Sequence, residues 1–192
     1  MQEKPLVMPK NFWACDKIHL RSCCEADVEI YVNEEKDSES IRFLEGRVDP
    51  PRAAALWKEW IDRQAKQQDP NCLAFTIESL DQQIVGFANI RDWTNRAGTF
   101  TFGIRIFNAY QRQGFALDAA KIILRYGFFE LRCQKANSST IETNVKSIAF
   151  HQKLGFQAEG RIRRNDFTDG HYYDALLFGL TAEEFINVDK RD

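Results

Sequence analysis

The sequence contains few residues that could bind a metal or form disulfide bonds. Its 192 residues include three histidines and five cysteines, and no two cysteines form a Cys-x-x-Cys pair. The cysteines are Cys15, Cys23, Cys24, Cys72 and Cys133. An odd, scattered set is typical of reduced thiols in the cytoplasm, and the histidines lack the spacing of metal ligands. We therefore expect a cytoplasmic protein without a metal site.

Long apolar runs and a strong excess of one charge are also missing. No run approaches the ~20 residues that a membrane helix needs, and residues 1–10 contain no signal-peptide core. The net charge of −2 gives no reason to expect a nucleic acid or an anionic membrane as a partner. The apolar fraction of 44% is ordinary for a protein with a core. We expect one domain over residues 1–192, with an irregular arm at residues 1–15.

The sequence does contain a turn that is suited to an anion. Residues 99–106 alternate apolar with other side chains, which predicts a strand, and residues 117–131 show the apolar spacing of a helix. Between them, Gly114 and Ala116 leave backbone N–H groups open. The positive end of the helix and the charge of Arg112 favour a phosphate or pyrophosphate there. The alternative is an ordinary strand-to-helix connection, since neither the Rossmann nor the P-loop pattern is present.

Three motifs, in order along the chain, resemble those of the GNAT acyltransferases. Residues 111–116 read Gln-x-x-Gly-x-Ala, which is similar to the coenzyme A pyrophosphate loop of that family. Residues 144–156 match its next helix, and residues 170–185 match its closing hairpin. The hairpin resembles the branch of ribosomal-protein N-terminal acetyltransferases and spermidine acetyltransferases. The resemblance covers roughly residues 70–185 and, more weakly, residues 17–27.

The resemblance implies an α/β fold with a mixed, mainly antiparallel central sheet, flanked by helices and splayed at the coenzyme A site. Acetyl-coenzyme A would be the co-substrate, and its acetyl group would pass directly to a primary amine of a protein N-terminus, a polyamine or another small molecule. Gly103 would mark a bulge that frees backbone groups for the pantetheine arm. A homodimer is left open, as is the alternative of a non-catalytic sensor of acyl-coenzyme A. The implied coenzyme A residues are Ile104, Arg105, Ile106, Gln111, Arg112, Gln113, Gly114, Phe115, Ala116, Asn144, Ser147 and His151.

Two residues of the second motif are candidates for catalysis. Ser147 and His151 lie one helical turn apart, on the face that also carries Asn144, so they could project into a common cleft. The resemblance implies that residue 151, commonly Tyr in the family, protonates the departing thiolate. An imidazole with an ordinary pKa of about 6.5 can donate that proton. The alternative is that His151 only packs in the core.

A general base is harder to identify. Residues 99–106 contain no acid, and Glu142, Asp92 and Asp174 are weaker candidates because such carboxylates are often structural. A polyamine pocket would need converging acids, and Glu25 and two neighbouring glutamates, Glu29 and Glu34, could supply them. Trp57 and Trp60 of a third segment either pack in the core or border the acceptor pocket.

Four expectations concern the first half of the chain. Residues 22–25 fit a capping box that opens a helix, although alternating apolar residues at 28–32 would also suit a strand. Residues 36–49 read as a mobile polar connection. A helix should begin at residues 49–51, where prolines occupy its first turn. Residues 92–96 read as a loop.

Overall fold

The computed structural model describes residues 10–66 and 68–189, so most of the expected N-terminal arm lies outside the described residues. The seven strands form one sheet in the order β1-β2-β3-β4-β5-β7-β6. The strands are β1 Ile18–Ser22, β2 Cys72–Ser79, β3 Ile84–Thr94, β4 Thr99–Ile106, β5 Lys135–Ile141, β6 Gln157–Thr168 and β7 His171–Thr181. The α-helices are α1 Val28–Glu34, α2 Ser38–Glu45, α3 Ala54–Ala65, α4 Phe115–Arg125, α5 Val145–Lys153 and α6 Ala182–Asp189.

Two apolar clusters hold helices on opposite faces of the sheet. The larger cluster joins β4 to α4 and includes Phe100, Phe128 and Phe185, each at most 5% exposed. The smaller cluster joins α1 and α3 to the other face, where Tyr31 and Trp57 pack with ring centroids 5.1 Å apart. Trp57 is therefore a core residue. The helix predicted at residues 117–131 is confirmed, and its last turn, Tyr126–Glu130, is π-helical.

The sheet opens between β4 and β5, as the resemblance implied. These strands are parallel and pair over three residues, from Thr99 opposite Lys135 to Thr101 opposite Asn137. Beyond that point β4 and β5 each continue without the other, while every other pair of neighbouring strands is antiparallel. The splay therefore leaves an edge of β4 and an edge of β5 facing each other across a gap.

The bulge predicted at Gly103 is wrong. Gly103 pairs with Asn89 in regular register, and the irregularity between β3 and β4 lies between Arg91 and Thr94. The gap therefore arises because β5 diverges, and no residue is inserted into β4. A Cβ on Gly103 would lie 3.1 Å from Oδ1 of Asn89, so crowding across the strands accounts for a small residue here.

The helix α1 confirms the helical alternative for residues 28–32, but the capping box is displaced. Asp27 accepts the N–H of Cys24 at 3.0 Å, whereas the prediction paired residues 22 and 25. The connection at residues 36–49 contains α2, which the carboxylate of Asp37 caps by accepting the N–H of Ser40 at 3.1 Å. The third helix begins at Ala54, later than predicted.

The predicted loop at residues 92–96 is partly strand, because β3 extends to Thr94. The closing hairpin is confirmed, and both residues of its turn, Asp169 and Gly170, have positive φ angles of 54° and 75°. Two such residues match the twist of the flanking strands. In the described part of the chain, no helix is both long and apolar enough to cross a membrane.

Candidate active site

The turn between β4 and α4 presents a row of backbone donors. Arg112 and Gly114 have φ angles of 65° and 90°, and Gly114 is the N-cap of α4. Within residues 10–66 and 68–189, the backbone N–H groups of residues 112–116 donate no hydrogen bond to another backbone group. Successive free N–H groups at a helix N-terminus form a concave site for an anion.

Gln111 fixes the shape of this turn. Its Nε2 donates to the carbonyl of Ile106 at 3.2 Å and to Oδ1 of Asn108 at 2.8 Å. Its Oε1 accepts from Nζ of Lys146 at 3.4 Å. The side chain of Gln111 therefore ties the end of β4 to the turn and to α5, and the neighbouring Arg112 is exposed.

The structure adds Lys17 to the turn, a residue for which the sequence analysis had no role. Its Nζ lies 3.0 Å from the position that a Cβ on Gly114 would occupy. The same Nζ lies 3.8 Å from Oδ2 of Asp118, in the first turn of α4. Lys17 immediately precedes β1, so only the folded sheet brings it to the turn. The weak match over residues 17–27 was the one signal that pointed to this segment.

We expect Lys17→Ala to weaken coenzyme A binding roughly fivefold, because an exposed ion pair is worth about 1 kcal/mol. Asp118→Asn should strengthen binding, because it removes a negative charge beside the predicted phosphate site. Isothermal titration with coenzyme A measures both changes, and pantetheine, which lacks the phosphates of coenzyme A, should show neither. Lys66→Ala, an exposed lysine at the end of α3, is the control. Equal loss of coenzyme A and pantetheine binding in Lys17→Ala would contradict this role.

The side chain of Arg105 is enclosed by protein. It is 7% exposed and lies between the sheet and the end of α1, where its NH2 donates to the carbonyl of Glu34 at 2.7 Å and lies 3.9 Å from Asp37. Burial lowers the pKa of Arg105, and the carboxylates oppose that shift. Only the backbone of Arg105 faces the open edge of β4, together with the backbone of Ile104 and Ile106.

The helix α5 places Asn144, Ser147 and His151 beside β5. Asn144 caps the helix, because its Oδ1 accepts the N–H of Ser147 at 3.0 Å. His151 is 4% exposed, so its ring is enclosed and does not project into an open cleft. The ring stacks on Phe178 of β7, with centroids 4.8 Å apart and an interplanar angle of 9°.

Both nitrogens of the His151 ring have partners. Nδ1 lies 2.7 Å from the carbonyl oxygen of Ser147, and Nε2 lies 2.7 Å from Oγ of Ser138. A carbonyl oxygen only accepts, so Nδ1 carries the proton and Nε2 accepts from the hydroxyl of Ser138. Burial lowers the pKa of His151, although the hydrogen bond to the Ser147 carbonyl opposes the shift. A lowered pKa keeps the imidazole neutral near pH 7.

The candidate bases differ in what they contact. Glu142 and Asp174 both form ion pairs with Arg161. The N–H of Arg164 and the guanidinium of Arg161 lower the pKa of Asp174, which makes it a weaker base. Asp92 accepts a hydrogen bond at 3.0 Å from Oγ1 of Thr101, the residue at which the gap opens.

Two of the three glutamates considered for a polyamine pocket have cationic partners in the fold. Glu25 pairs with Lys58 at 2.5 Å, whereas Glu34 lies against Arg105 at 3.4 Å. In the described part of the chain, no three His, Cys, Asp or Glu residues are grouped to hold a metal ion.

A cavity of about 420 Å³ lies at the end of the open half of β5. Its walls come from α2, from the end of β5 and from the β6–β7 hairpin. The cavity contains two carboxylates and one guanidinium, whose NH1 donates to Oγ1 of Thr168 at 3.0 Å. The residues that line the cavity include Glu39, Arg42, Phe43, Ile141, Asp169 and Tyr173. Sequence analysis missed this cavity because it depends on α2, which had been interpreted as a mobile connection.

Comparison with known proteins agrees with this geometry. The acetyltransferase (GNAT) domain family matches residues 17–157. An uncharacterized N-acetyltransferase from Bacillus subtilis, YokL, is 35% identical over 93% of this chain and 97% of its own length. Spermidine N(1)-acetyltransferase from Escherichia coli is 33% identical over 44% of this chain and 46% of its own length.

Solved structures show the same fold. The spermidine N-acetyltransferase of Vibrio cholerae, in complex with CoA and spermine, superimposes with a TM-score of 0.79 at 18% identity, covering 90% of this chain and 100% of that one. The microcin C7 self-immunity acetyltransferase MccE, in complex with acetyl-CoA and AMP, gives a TM-score of 0.73 at 17% identity, covering 87% and 93%. The chain therefore belongs to the GNAT acetyltransferase family and is an N-acetyltransferase that uses acetyl-coenzyme A.

Proposed function

We propose that this enzyme transfers the acetyl group directly to the primary amine of a small molecule that enters through the cavity beside α2. The observation that supports this proposal is the position of the cavity. Ile141, which lines it, is the last residue of β5 and belongs to the half of that strand that does not pair with β4. An amine held there reaches the gap from the side of α2. The acceptors in the names of related proteins, spermidine and spermine, are small amines as well.

The proposed coenzyme A site combines the open edge of β4 with the turn. The N–H groups of residues 113–116 would hold the pyrophosphate, with Arg112 and Lys17 beside it. The backbone of residues 104–106 would pair with the pantetheine arm. The residues fit the group, because Gly114 tolerates a φ of 90° and places no side chain beside the free N–H groups. The thioester would then lie between the open edges of β4 and β5. This placement would orient the thioester for attack by the amine.

The size and charge of the cavity favour a small cationic amine over a protein N-terminus. A volume of about 420 Å³ holds a small molecule. Glu39 and Asp169 attract an ammonium group, whereas Arg42 contacts the hairpin and is held 3.6 Å from Asp169. Because Asp169 is 77% exposed, its attraction acts mainly on the encounter with the acceptor.

An acceptor panel tests the proposed function. We would measure thiol release from acetyl-coenzyme A with spermidine, putrescine, benzylamine and a short peptide with a free N-terminus, and identify acetylated products by mass spectrometry. We expect kcat/KM for at least one small amine to exceed that for the peptide about tenfold. A peptide that outperforms every small amine would contradict the proposal, and no release with any amine would favour the non-catalytic sensor.

Charge variants locate the acceptor site. Glu39→Gln should lower kcat/KM for the best cationic amine about three- to tenfold, because one attractive charge is lost, and should leave KM for acetyl-coenzyme A unchanged. The control is Glu59→Gln, which removes an exposed charge from α3. An equal effect of both substitutions would place the acceptor elsewhere.

A further inference from the structure

Ser138 occupies a special position in the sheet. It is the first residue of β5 beyond Asn137, the last residue that pairs with β4. Its strand neighbour on the other side is Phe178 of β7, so Ser138 lies on the face of the sheet that α5 covers. The hydroxyl of Ser138 therefore lies where the gap begins, on the face that carries His151.

The pair formed by Ser138 and His151 has the geometry of a proton-transfer unit. Oγ of Ser138 lies 2.7 Å from Nε2 of His151, and Nδ1 of the same ring lies 2.7 Å from the Ser147 carbonyl oxygen. That carbonyl sets the tautomer and the ring orientation, as the third member does in a nucleophile–base–orienter arrangement. Stacking on Phe178 restricts the ring further. His151 is almost completely buried, so a proton that it accepts passes through Ser138 and not through bulk water.

We propose that Ser138 and His151 form a relay that carries the proton of the attacking amine to the departing thiolate. The proposal rests on the proposed function, because it needs an amine and a thioester in the gap. It assigns residue 151 a role as a temporary proton acceptor. Ser138 is the group of the relay that contacts the reacting atoms, and His151 acts through it.

Atoms and charges balance in this relay. The relay begins with the neutral amine, after its ammonium form has released one proton to solvent. The amine nitrogen forms a bond to the acetyl carbon and loses a second proton to Oγ of Ser138, whose own proton moves to Nε2 of His151. The carbon–sulfur bond then breaks, and the sulfur leaves with the electron pair. Nε2 returns its proton to Ser138, and the hydroxyl proton of Ser138 passes to the sulfur. The products are an amide and a neutral thiol, and both side chains recover their starting states.

The relay also supplies a proton acceptor for the amine, although β4 contains no Asp or Glu that could act as the base. The amine proton needs an acceptor that is unprotonated near pH 7. Nε2 of His151 meets that requirement because burial keeps the ring neutral, although the same lowered pKa makes the imidazole a weaker base. The imidazolium formed in the step keeps its hydrogen bond to the Ser147 carbonyl.

Four variants test the relay. Thiol release with saturating amine should fall about 10²–10⁴-fold in His151→Phe, and Ser138→Ala should fall by a similar factor. The double variant should be no slower than the slower single variant, because residues that act as one unit are not additive. Ser138→Thr restores a hydroxyl and should recover most of the rate. Affinity for coenzyme A should stay unchanged throughout, and Ser139→Ala, at the exposed neighbouring residue, is the control.

Two outcomes of these rates would overturn the relay. One is wild-type turnover in Ser138→Ala, and the other is a double variant whose loss is the product of the two single losses. If wild-type protein releases no thiol with any amine, the proposed function fails first, and the relay must then be tested without turnover.

Nitrogen NMR of the His151 ring supplies that test. In wild-type protein we expect the proton on Nδ1 and a shift of the Nε2 resonance when coenzyme A binds. Ser138→Ala should abolish that shift while coenzyme A still binds. A proton on Nε2 in the free protein, or a shift that persists without Ser138, would overturn the relay whatever the acceptor is.

Discussion

Gly114→Val is expected to reduce coenzyme A affinity roughly 100-fold or more. Valine would be strained at a φ of 90°, and its side chain would enter the space beside Nζ of Lys17. Hydrogen bonds to a charged group contribute about 1.5–3 kcal/mol each, so losing two of the free amides corresponds to this loss of affinity. Isothermal titration with coenzyme A measures the change.

The strain of a positive φ needs its own control. Gly170, in the hairpin turn, has a φ of 75°, and nothing lies within 4 Å of a Cβ built on it. Gly170→Val therefore introduces comparable backbone strain away from the turn at Gly114 and should leave coenzyme A affinity unchanged. Equal losses in both variants would indicate a general effect on folding, and unchanged affinity in Gly114→Val would refute the proposed placement of the pyrophosphate.

Asp27→Ala is expected to destabilise the fold by about 3 kcal/mol, because it removes the buried member of an ion pair, although Arg21 keeps its contact with Glu78 at 3.3 Å. Asp27 is fully buried at the start of the first helical segment. Its carboxylate accepts two hydrogen bonds from Arg21, at 2.8 and 3.0 Å, and one from Thr76 at 2.7 Å. These bonds join β1, β2 and the entry to α1. Urea unfolding of Asp27→Ala and of the exposed-turn control Asp81→Ala measures the difference.

The same carboxylate predicts a pH dependence. Burial acts to raise the pKa of Asp27, but the hydrogen bonds from Arg21, Cys24 and Thr76 outweigh it and lower the pKa below its usual value of 3.8. A lowered pKa in the folded state stabilises the protein above the pKa of the unfolded state. That contribution is lost as the pH falls below about 4, through the folded pKa. The stability difference between wild type and Asp27→Asn should therefore shrink on acidification below pH 4, and a constant difference would contradict this account.

Local patterns predicted much of the fold. The alternation of residues 99–106 and the helical spacing that follows both lie in short segments whose own chemistry decides their structure. The turn at Gly114 belongs to this group, because a glycine before an apolar helix is visible without tertiary information. The opening between β4 and β5 was expected only from the resemblance, since no local pattern shows where a parallel pair stops.

Features that depend on distant contacts were predicted poorly. The helix α2 is short, polar and without buried residues, so its sequence resembles a loop. The cap at Cys24 depends on a carboxylate that Arg21 and Thr76 hold in place. Lys17 reaches the turn between β4 and α4 only because β1 joins the sheet.

The candidate active site likewise depends on contacts between distant segments, so the sequence predicted it only in part. The helix spacing correctly placed Ser147 and His151 one turn apart, but it could not show that the ring is buried. The partner of His151, Ser138, lies on a different strand, and only the register of β5 brings the two together. The acids Glu142 and Asp174 were weaker candidates in sequence because such carboxylates are often structural, and the fold pairs both with Arg161.

A single-turnover experiment with isotope-labelled acetyl-coenzyme A tests the central claim most directly. Protein, labelled acetyl-coenzyme A and the best small amine from the panel are mixed, quenched and analysed by mass spectrometry of both product and protein. We expect the label to move onto the amine nitrogen in wild-type protein, without labelled protein at any time, and we expect Gly114→Val to lose this transfer. Label that stays on coenzyme A with every amine, or that first accumulates on the protein, would contradict direct acetyl transfer at this site.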